Sequence, residues 1–422
     1  MSAPLPLLRR RAAADVKRRP GAAVDAEAVA AATPIVAAVR TGGEPALRAY
    51  AERFGDVAPG APLWHGPAAL ARALASLPGA DRERLERVAE RIRSFAEAQR
   101  CALAAVTVPL PGGAAGQWIA PLERAGCYAP GGRYPLPSSV LMTAVTARVA
   151  GVREVWVASP KPAPLTLAAA AVAGADGLLA AGGAHAIAAL AYGAGPVAPC
   201  DVIVGPGNRY VTAAKQLVAG STAIDMLAGP SELTVLADGA ADPERVAADL
   251  LAQAEHDPAA VPLLVTTDAG LAERVDAELE RQLKGLATAD VARAALANGG
   301  VIVVATVDEG IAVCDAIAPE HVQLDIRDAA AVAPRLAHYG AMFLGPLGAE
   351  VLGDYGAGPN HVLPTGGTAR ARGGLSVYTF LRVRTWLRLD DARAARPLIE
   401  DAVWLGRSEG LEAHARAAER RL

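Results

Sequence analysis

The residue types able to do chemistry are concentrated in a few short segments. "DLLAQAEHDP", Asp249 to Pro258, sets Gln253 and His256 three residues apart where the apolar spacing predicts a helix, so both side chains point to one side. Asp242 as N-cap and Pro243 in the first turn mark the start of that helix. Val246, Leu250 and Ala254 form its apolar side, while Asp249, Gln253 and His256 recur along another. A polar stripe of this kind reads first as a solvated face, and Gln is an uncommon zinc ligand. Alone, the segment supplies two donors and no complete metal site.

Three further segments add to it. "APEHVQLDI" places Glu320 beside His321 directly before a strand-like run, an acid and an imidazole able to divide proton chemistry between them. "GDYGAGPNHVLPT" holds Asp354, Asn360 and His361 in what reads as a Gly- and Pro-rich loop, and "SEGLEAHARA" sets Glu409 and His414 in a terminal helix. The chain has 7 histidines, and His256, His321, His361 and His414 all fall in these segments, a concentration more telling than any one of them. "VIVGPGNRYVTAAKQLV" reads as strand, tight turn and helix, so Gly205, Gly207 and the helix start offer a cradle for phosphate. It is not a GxGxxG fingerprint and lacks an acidic residue at the usual distance, so a structural turn and a nucleotide site both stay open.

The elements that must position these groups alternate in type. From Asp25 to about Arg100 the apolar residues recur every three to four positions, as helices require. After the Pro- and Gly-rich "VPLPGGAAG", short apolar runs such as "EVWVAS", "GLLAAGG" and "DVIVGPG" alternate with Ala-rich helices. A second such section carries "LTVLAD", "PLLVTT" and "GVIVVAT". That rhythm predicts parallel α/β sheets. The expected division is a mainly helical segment over 1–110, α/β units over 111–235 and 236–375, and a helical C-terminal arm over 376–422. No repeat of solenoid period is evident.

Bulk composition excludes several classes. At 422 residues the chain needs more than one core, and 41 basic against 44 acidic residues give no general attraction to nucleic acid or an acidic membrane. The longest stretch free of Asp, Glu, Lys and Arg, Gly177 to Cys200, is too rich in Gly and Ala to span a bilayer. The Arg-rich "LLRRRAAADVKRRP" lacks the apolar core of a secretory signal and reads as a solvated helix start. Cys101, Cys127, Cys200 and Cys314 are scattered, with no CxxC pair, as for buried free thiols in a reducing cytoplasm.

Taken in order, "YAPGGRYPLPSSVLM", "GGAHAIAALAYG", "VGPGNRYV", "IDMLAGPSE", "DLLAQAEHD", "APEH", "FLGP", "GDYGAGPNHVLPT" and "GLSVYTFLR" resemble the histidinol dehydrogenase family over nearly the whole chain. The resemblance implies two incomplete Rossmann-like domains in an intertwined homodimer, and a cytoplasmic enzyme oxidising L-histidinol through L-histidinaldehyde to L-histidine with two NAD. It implies one zinc per subunit, held by Gln253, His256, Asp354 and, from the partner subunit, His414. Glu320 and His321 match the catalytic pair, Ser231, His361 and Glu409 match substrate positions, and Tyr128 and Asn208 match NAD contacts. The zinc ligands and His321 would also touch substrate.

One departure stands out: His185 occupies a position where the family usually carries Gln, and is expected to face the dinucleotide. "GGRYPLP" is also unlike many members. In the implied reaction His321 takes hydroxyl protons, Glu320 polarises water for the second oxidation, and zinc acts as a template for substrate nitrogen atoms. Two rivals differ in what they predict. A relative oxidising another polar alcohol, such as a sulfonated diol, would keep the zinc and the catalytic pair. A zinc hydrolase would need no nicotinamide.

Overall fold

The computed structural model describes residues 6–18, 24–131 and 135–422. In chain order it opens with strand β1 (Arg10–Arg11), helix α1 (Ala26–Arg53), β2 (Trp64–His65), α2 (Pro67–Ala75) and α3 (Gly79–Cys101). A hairpin of β3 (Val106–Leu110) and β4 (Gly113–Pro121) follows. Then come β5 (Arg124–Tyr128), α4 (Pro137–Ala150), β6 (Glu154–Ala158), α5 (Pro164–Val172), β7 (Gly177–Leu179), α6 (Gly183–Tyr192), β8 (Val202–Val204), α7 (Arg209–Val218) and β9 (Ala223–Ile224).

The same alternation then repeats. It runs through β10 (Glu232–Ala237), α8 (Pro243–Ala254), β11 (Val261–Thr266), α9 (Ala269–Leu283), α10 (Ala289–Leu296), β12 (Gly300–Val303), α11 (Val307–Ile317), β13 (His321–Asp325), α12 (Ala329–Val332) and β14 (Ala341–Leu344). A short helix α13 (Glu350–Asp354), a long loop, β15 (Leu381–Leu389), α14 (Ala392–Ser408) and α15 (Glu412–Glu419) complete the chain.

Two six-stranded sheets result, ordered β2-β7-β6-β5-β8-β9 and β1-β12-β11-β10-β13-β14. Apart from the added edge strands β2 and β1, each follows the order 3-2-1-4-5 with parallel pairing throughout. This is a doubly wound arrangement lacking its last strand. Strands covered by helices on both faces are apolar on both faces, and β8 and β10 are buried along their whole length. In the first sheet α4 and α5 pack on one face and α1, α6 and α7 on the other. In the second, α8, α9 and α10 oppose α11 and α12.

Three sequence expectations change. The N-terminal Arg-rich run is not a helix start: Leu8 is buried and Arg10–Arg11 pairs with Val301–Ile302 at the edge of the second sheet. Segment 1–110 is mainly helical, but its three strands β1, β2 and β3 join three different sheets and α1 lies against α6 and α7. The C-terminal segment is not wholly helical either, because β15 pairs antiparallel with β4 from Leu381↔Pro121 to Leu389↔Gly113, and β3 completes a three-stranded sheet. Of the thiols, Cys127, Cys200 and Cys314 are buried and free, whereas Cys101 is exposed. Among the described residues no helix is long and apolar enough to cross a membrane.

Candidate active site

A cleft of about 790 Å³ lies where the carboxyl ends of β5 and β8 meet the amino ends of β10 and β13. On the first-sheet side it is lined by Pro130, Ser139 and the turn Pro206–Gly207–Asn208. That turn is held from beneath. Gly205 has φ +117, and a Cβ there would lie 1.9 Å from the Tyr128 carbonyl oxygen, so only glycine fits. Its N–H donates to Asp225 Oδ2 at 2.7 Å, and its carbonyl accepts from Lys215 Nζ at 2.6 Å. Lys215 and Asp225 are themselves a buried ion pair at 2.6 Å. Asn208 caps α7 through Oδ1, which accepts from the Tyr210 and Val211 N–H groups.

Ser231, His256, Glu320, His321, Glu350, Asp354 and His361 line the other side. His321 opens β13 and is buried, and its Nδ1 lies 3.1 Å from the Glu232 carbonyl oxygen. A carbonyl only accepts, so Nδ1 carries the proton and Nε2 is left with its lone pair. Nε2 is buried and has no hydrogen-bond partner. Burial pushes the His321 imidazole down to about 3. The 3.8 Å approaches of its ring to Glu320, Glu350 and Asp354 therefore involve a neutral ring and are not ion pairs.

Glu320 is equally buried; its Oε2 accepts the Glu232 N–H at 2.9 Å, and burial pushes its carboxyl well above the usual range. His361 sends Nδ1 to the Asp354 carbonyl oxygen at 2.9 Å and points Nε2 toward Ser139 Oγ at 3.5 Å. Burial pushes it down to about 4. His256, also lowered by burial, brings Nε2 within 3.6 Å of Asp354 Oδ2. Burial raises Asp354 to about 7.

Gln253 decides what this side is built for. Its side chain is fully buried, yet neither Oε1 nor Nε2 has a partner. An unpaired buried amide costs on the order of 1–3 kcal/mol, so a group that accepts its lone pair is called for. The polar stripe Asp249–Gln253 is thus not a wet face. Asp249 is buried too and accepts from Gln323 Nε2 at 2.6 Å. His256 lies two residues beyond the end of α8, and Asp354 ends α13 instead of lying in a loop. No Lys or Arg pairs with Glu320, Glu350 or Asp354 among the described residues, so neutral nitrogen donors and uncompensated carboxyls face one space. That donor set fits a dication such as zinc.

Other expected residues lie elsewhere. Tyr128 is buried at the end of β5; its hydroxyl accepts from Gly183 N–H at 3.2 Å, and burial raises its phenol to about 12. His185 does not face the cleft: it is enclosed beside Tyr50 and Phe54, with Nε2 2.8 Å from Asp56 Oδ2. Glu409 and His414 are exposed on the C-terminal arm and do not line the cleft. Residues 132–134 of "GGRYPLP" lie outside the described residues. Glu350, not singled out in the sequence, is brought in by α13. The usable signal is its position four residues before Asp354, on the same helix face.

The histidinol dehydrogenase family profile matches residues 18–422. The chain is 50% identical over 391 residues to histidinol dehydrogenase of Thermus thermophilus, covering 92% of this chain and 93% of that protein. It is 45% identical to that of Caulobacter vibrioides over 407 residues, covering 96% and 94%. Its fold superposes on the crystal structure of histidinol dehydrogenase from Elizabethkingia anophelis with a TM-score of 0.92 over 99% of both chains, at 30% identity.

Proposed function

The chain belongs to the histidinol dehydrogenase family, NAD-dependent oxidoreductases that form histidine from histidinol in histidine biosynthesis, and from that premise we propose how its residues divide the work. Gln253, His256 and Asp354 hold zinc, and His414 of a second copy supplies the fourth ligand. The observation that carries this assignment is the fully buried Gln253 amide without a partner, three residues before His256, whose Nε2 lies 3.6 Å from Asp354 Oδ2. Bound there, zinc supplies a Lewis-acid anchor for the substrate's nitrogen atoms.

His321 Nε2 accepts the hydroxyl proton of L-histidinol while hydride passes from the same carbon to NAD, giving the aldehyde. Its protonated Nδ1 rests on the Glu232 carbonyl and keeps Nε2 as the acceptor. Glu320 accepts a proton from the water that adds to the aldehyde, and a second hydride transfer to a second NAD leaves the carboxylate. Ser231 and His361, which both line the cleft, contact the substrate, and Glu409 of a second copy takes a hydrogen bond from its ring. Asn208 lies against NAD above the Gly205 turn, with Tyr128 buried behind it. His185 is not included, since Asp56 and the α1 aromatic residues enclose it.

A homodimer is part of the proposal. Exposed apolar residues lie on one face of the three-stranded sheet, Val106, Val108, Val383 and Leu387, and on the arm, Trp404, Leu405 and Leu411. Leu347, in the loop before α13, is 88% exposed. A second copy would cover these surfaces.

The direct test is NADH formation from L-histidinol before chelation, after chelation and after zinc return. Activity that vanishes and is restored supports the reading. NADH formation indifferent to zinc removal would overturn the metal assignment, and no oxidation of histidinol by the zinc-loaded protein would overturn the function.

A further inference from the structure

Charge bookkeeping at the proposed zinc site leaves a remainder. Gln253, His256 and His414 are neutral ligands, so Asp354 alone would leave a buried dication with an uncompensated positive charge. The balancing group must be an acid that is close, buried and free of a protein cation. Glu350 meets all three conditions. It is 3% exposed, its Oε2 is buried without a hydrogen-bond partner, and it pairs with no Lys or Arg among the described residues. Its carboxylate, a carboxylate oxygen of Asp354 and a ring nitrogen of His321 all lie within 4.8 Å of one another.

A different duty for Glu350, orienting His321 through Nδ1, is already filled: the Glu232 carbonyl takes that N–H at 3.1 Å, while Glu350 Oε1 stands 3.8 Å away. The free oxygen therefore has no protein group to serve. We propose that Glu350 is a carboxylate of the metal site, presented by α13 on the same face as Asp354, and that it faces the bound cation and balances its charge. This rests on the ligand assignment made above.

Zinc is stripped from the full-length protein and titrated back against a competing chromogenic chelator, for the unaltered chain and for Glu350→Gln, Glu350→Asp, Asp354→Asn and His256→Asn. Glu350→Gln keeps the shape and removes the charge. It should weaken zinc binding roughly 10–100-fold with stoichiometry unchanged, and Glu350→Asp should recover part of the loss. The zinc-free Glu350→Gln protein should melt at or above the temperature of the unaltered zinc-free chain, which separates a metal role from a folding role. If both Glu350 variants bind zinc as tightly as the unaltered chain while Asp354→Asn does not, the Glu350 proposal fails and the ligand assignment stands. If Asp354→Asn and His256→Asn also bind zinc normally, the ligand assignment fails and this proposal with it.

Discussion

The two six-stranded sheets share one strand order, yet they present opposite ends to the cleft. The first offers the carboxyl ends of β5 and β8, on either side of the point where its strand order reverses, as expected for ligand sites on open α/β sheets. The second offers the amino ends of the equivalent pair, β10 and β13. Helices run antiparallel to their strands, so the choice of end fixes the local field. At the first sheet the start of α7, capped by Asn208, points at the cleft and suits an anion such as a dinucleotide phosphate. At the second, α8 arrives by its end, with Gln253 in its last turn and His256 just past it, where carbonyl dipoles favour a cation. One topology used from both ends can hold a phosphate-bearing cofactor and a metal face to face.

On the proposed reading, chemistry belongs to the second half and cofactor seating to the first. The sharpest break would be His321→Asn. Turnover is expected to fall by about 10²–10⁴-fold while zinc content and NAD binding are retained. Rates close to those of the unaltered chain would remove His321 from proton transfer. The matching probe of the first half is Lys215→Met, which leaves Asp225 buried without its cation and should cost about 3–5 kcal/mol of stability in thermal or urea unfolding. Because the Gly205 turn loses its anchor, KM for NAD should rise more than turnover falls, with zinc content unchanged. Loss of zinc in that variant would show that the halves are not separable.

The central strands β6, β7, β8, β10, β11, β12 and β13 were legible because burial on two faces demands apolar runs, and Glu320–His321 because an acid and an imidazole at a strand edge are conspicuous; β1, β2, β5, β9 and β14 were not legible as strands. Gln253 was legible only as a polar stripe, since sequence spacing gives a helix face but not what packs over it. Strand β15, "LRVRTWLRL", was hidden by its exposure: six of its nine residues are exposed, so charge on it looks like any solvated segment. The shared strand order of the two halves left no readable repeat, because topology constrains burial and not residue identity. His185 was misplaced for a related reason. A motif position names a neighbourhood, and Asp56 together with Phe54 turned that ring into the α1–α6 contact.

A smaller effect follows from Asp354. Burial raises its carboxyl from 3.8 to about 7 in the zinc-free protein, so folded chains hold this proton where unfolded chains have lost it. Its contribution to stability is fully present below pH 3.8 and is lost as pH rises through about 7. Zinc must displace the same proton. Affinity should therefore fall roughly tenfold per pH unit below that point and level off above it, measured by chelator competition from pH 5.5 to 8.5. Asp354→Asn should abolish both trends, and a flat affinity profile in the unaltered chain would contradict the assigned proton.

The smallest expected signal tests whether the site closes between two copies. Glu409 and His414 stand exposed on an arm tied to the body by β15 and β4, while His256 and Asp354 line the cleft without them and Gln253 is buried in the last turn of α8. If the arm of one copy completes the cleft of another, Asp354→Asn and His414→Asn homodimers should each be inactive, for opposite reasons. Unfolded together in equal amounts and refolded, half of the dimers are mixed, and each mixed dimer carries one cleft with both defects and one with neither. Recovered turnover should then reach about a quarter of that of the unaltered protein. A metal site closed by its own arm would give no recovery, because every cleft would keep the defect of its own chain.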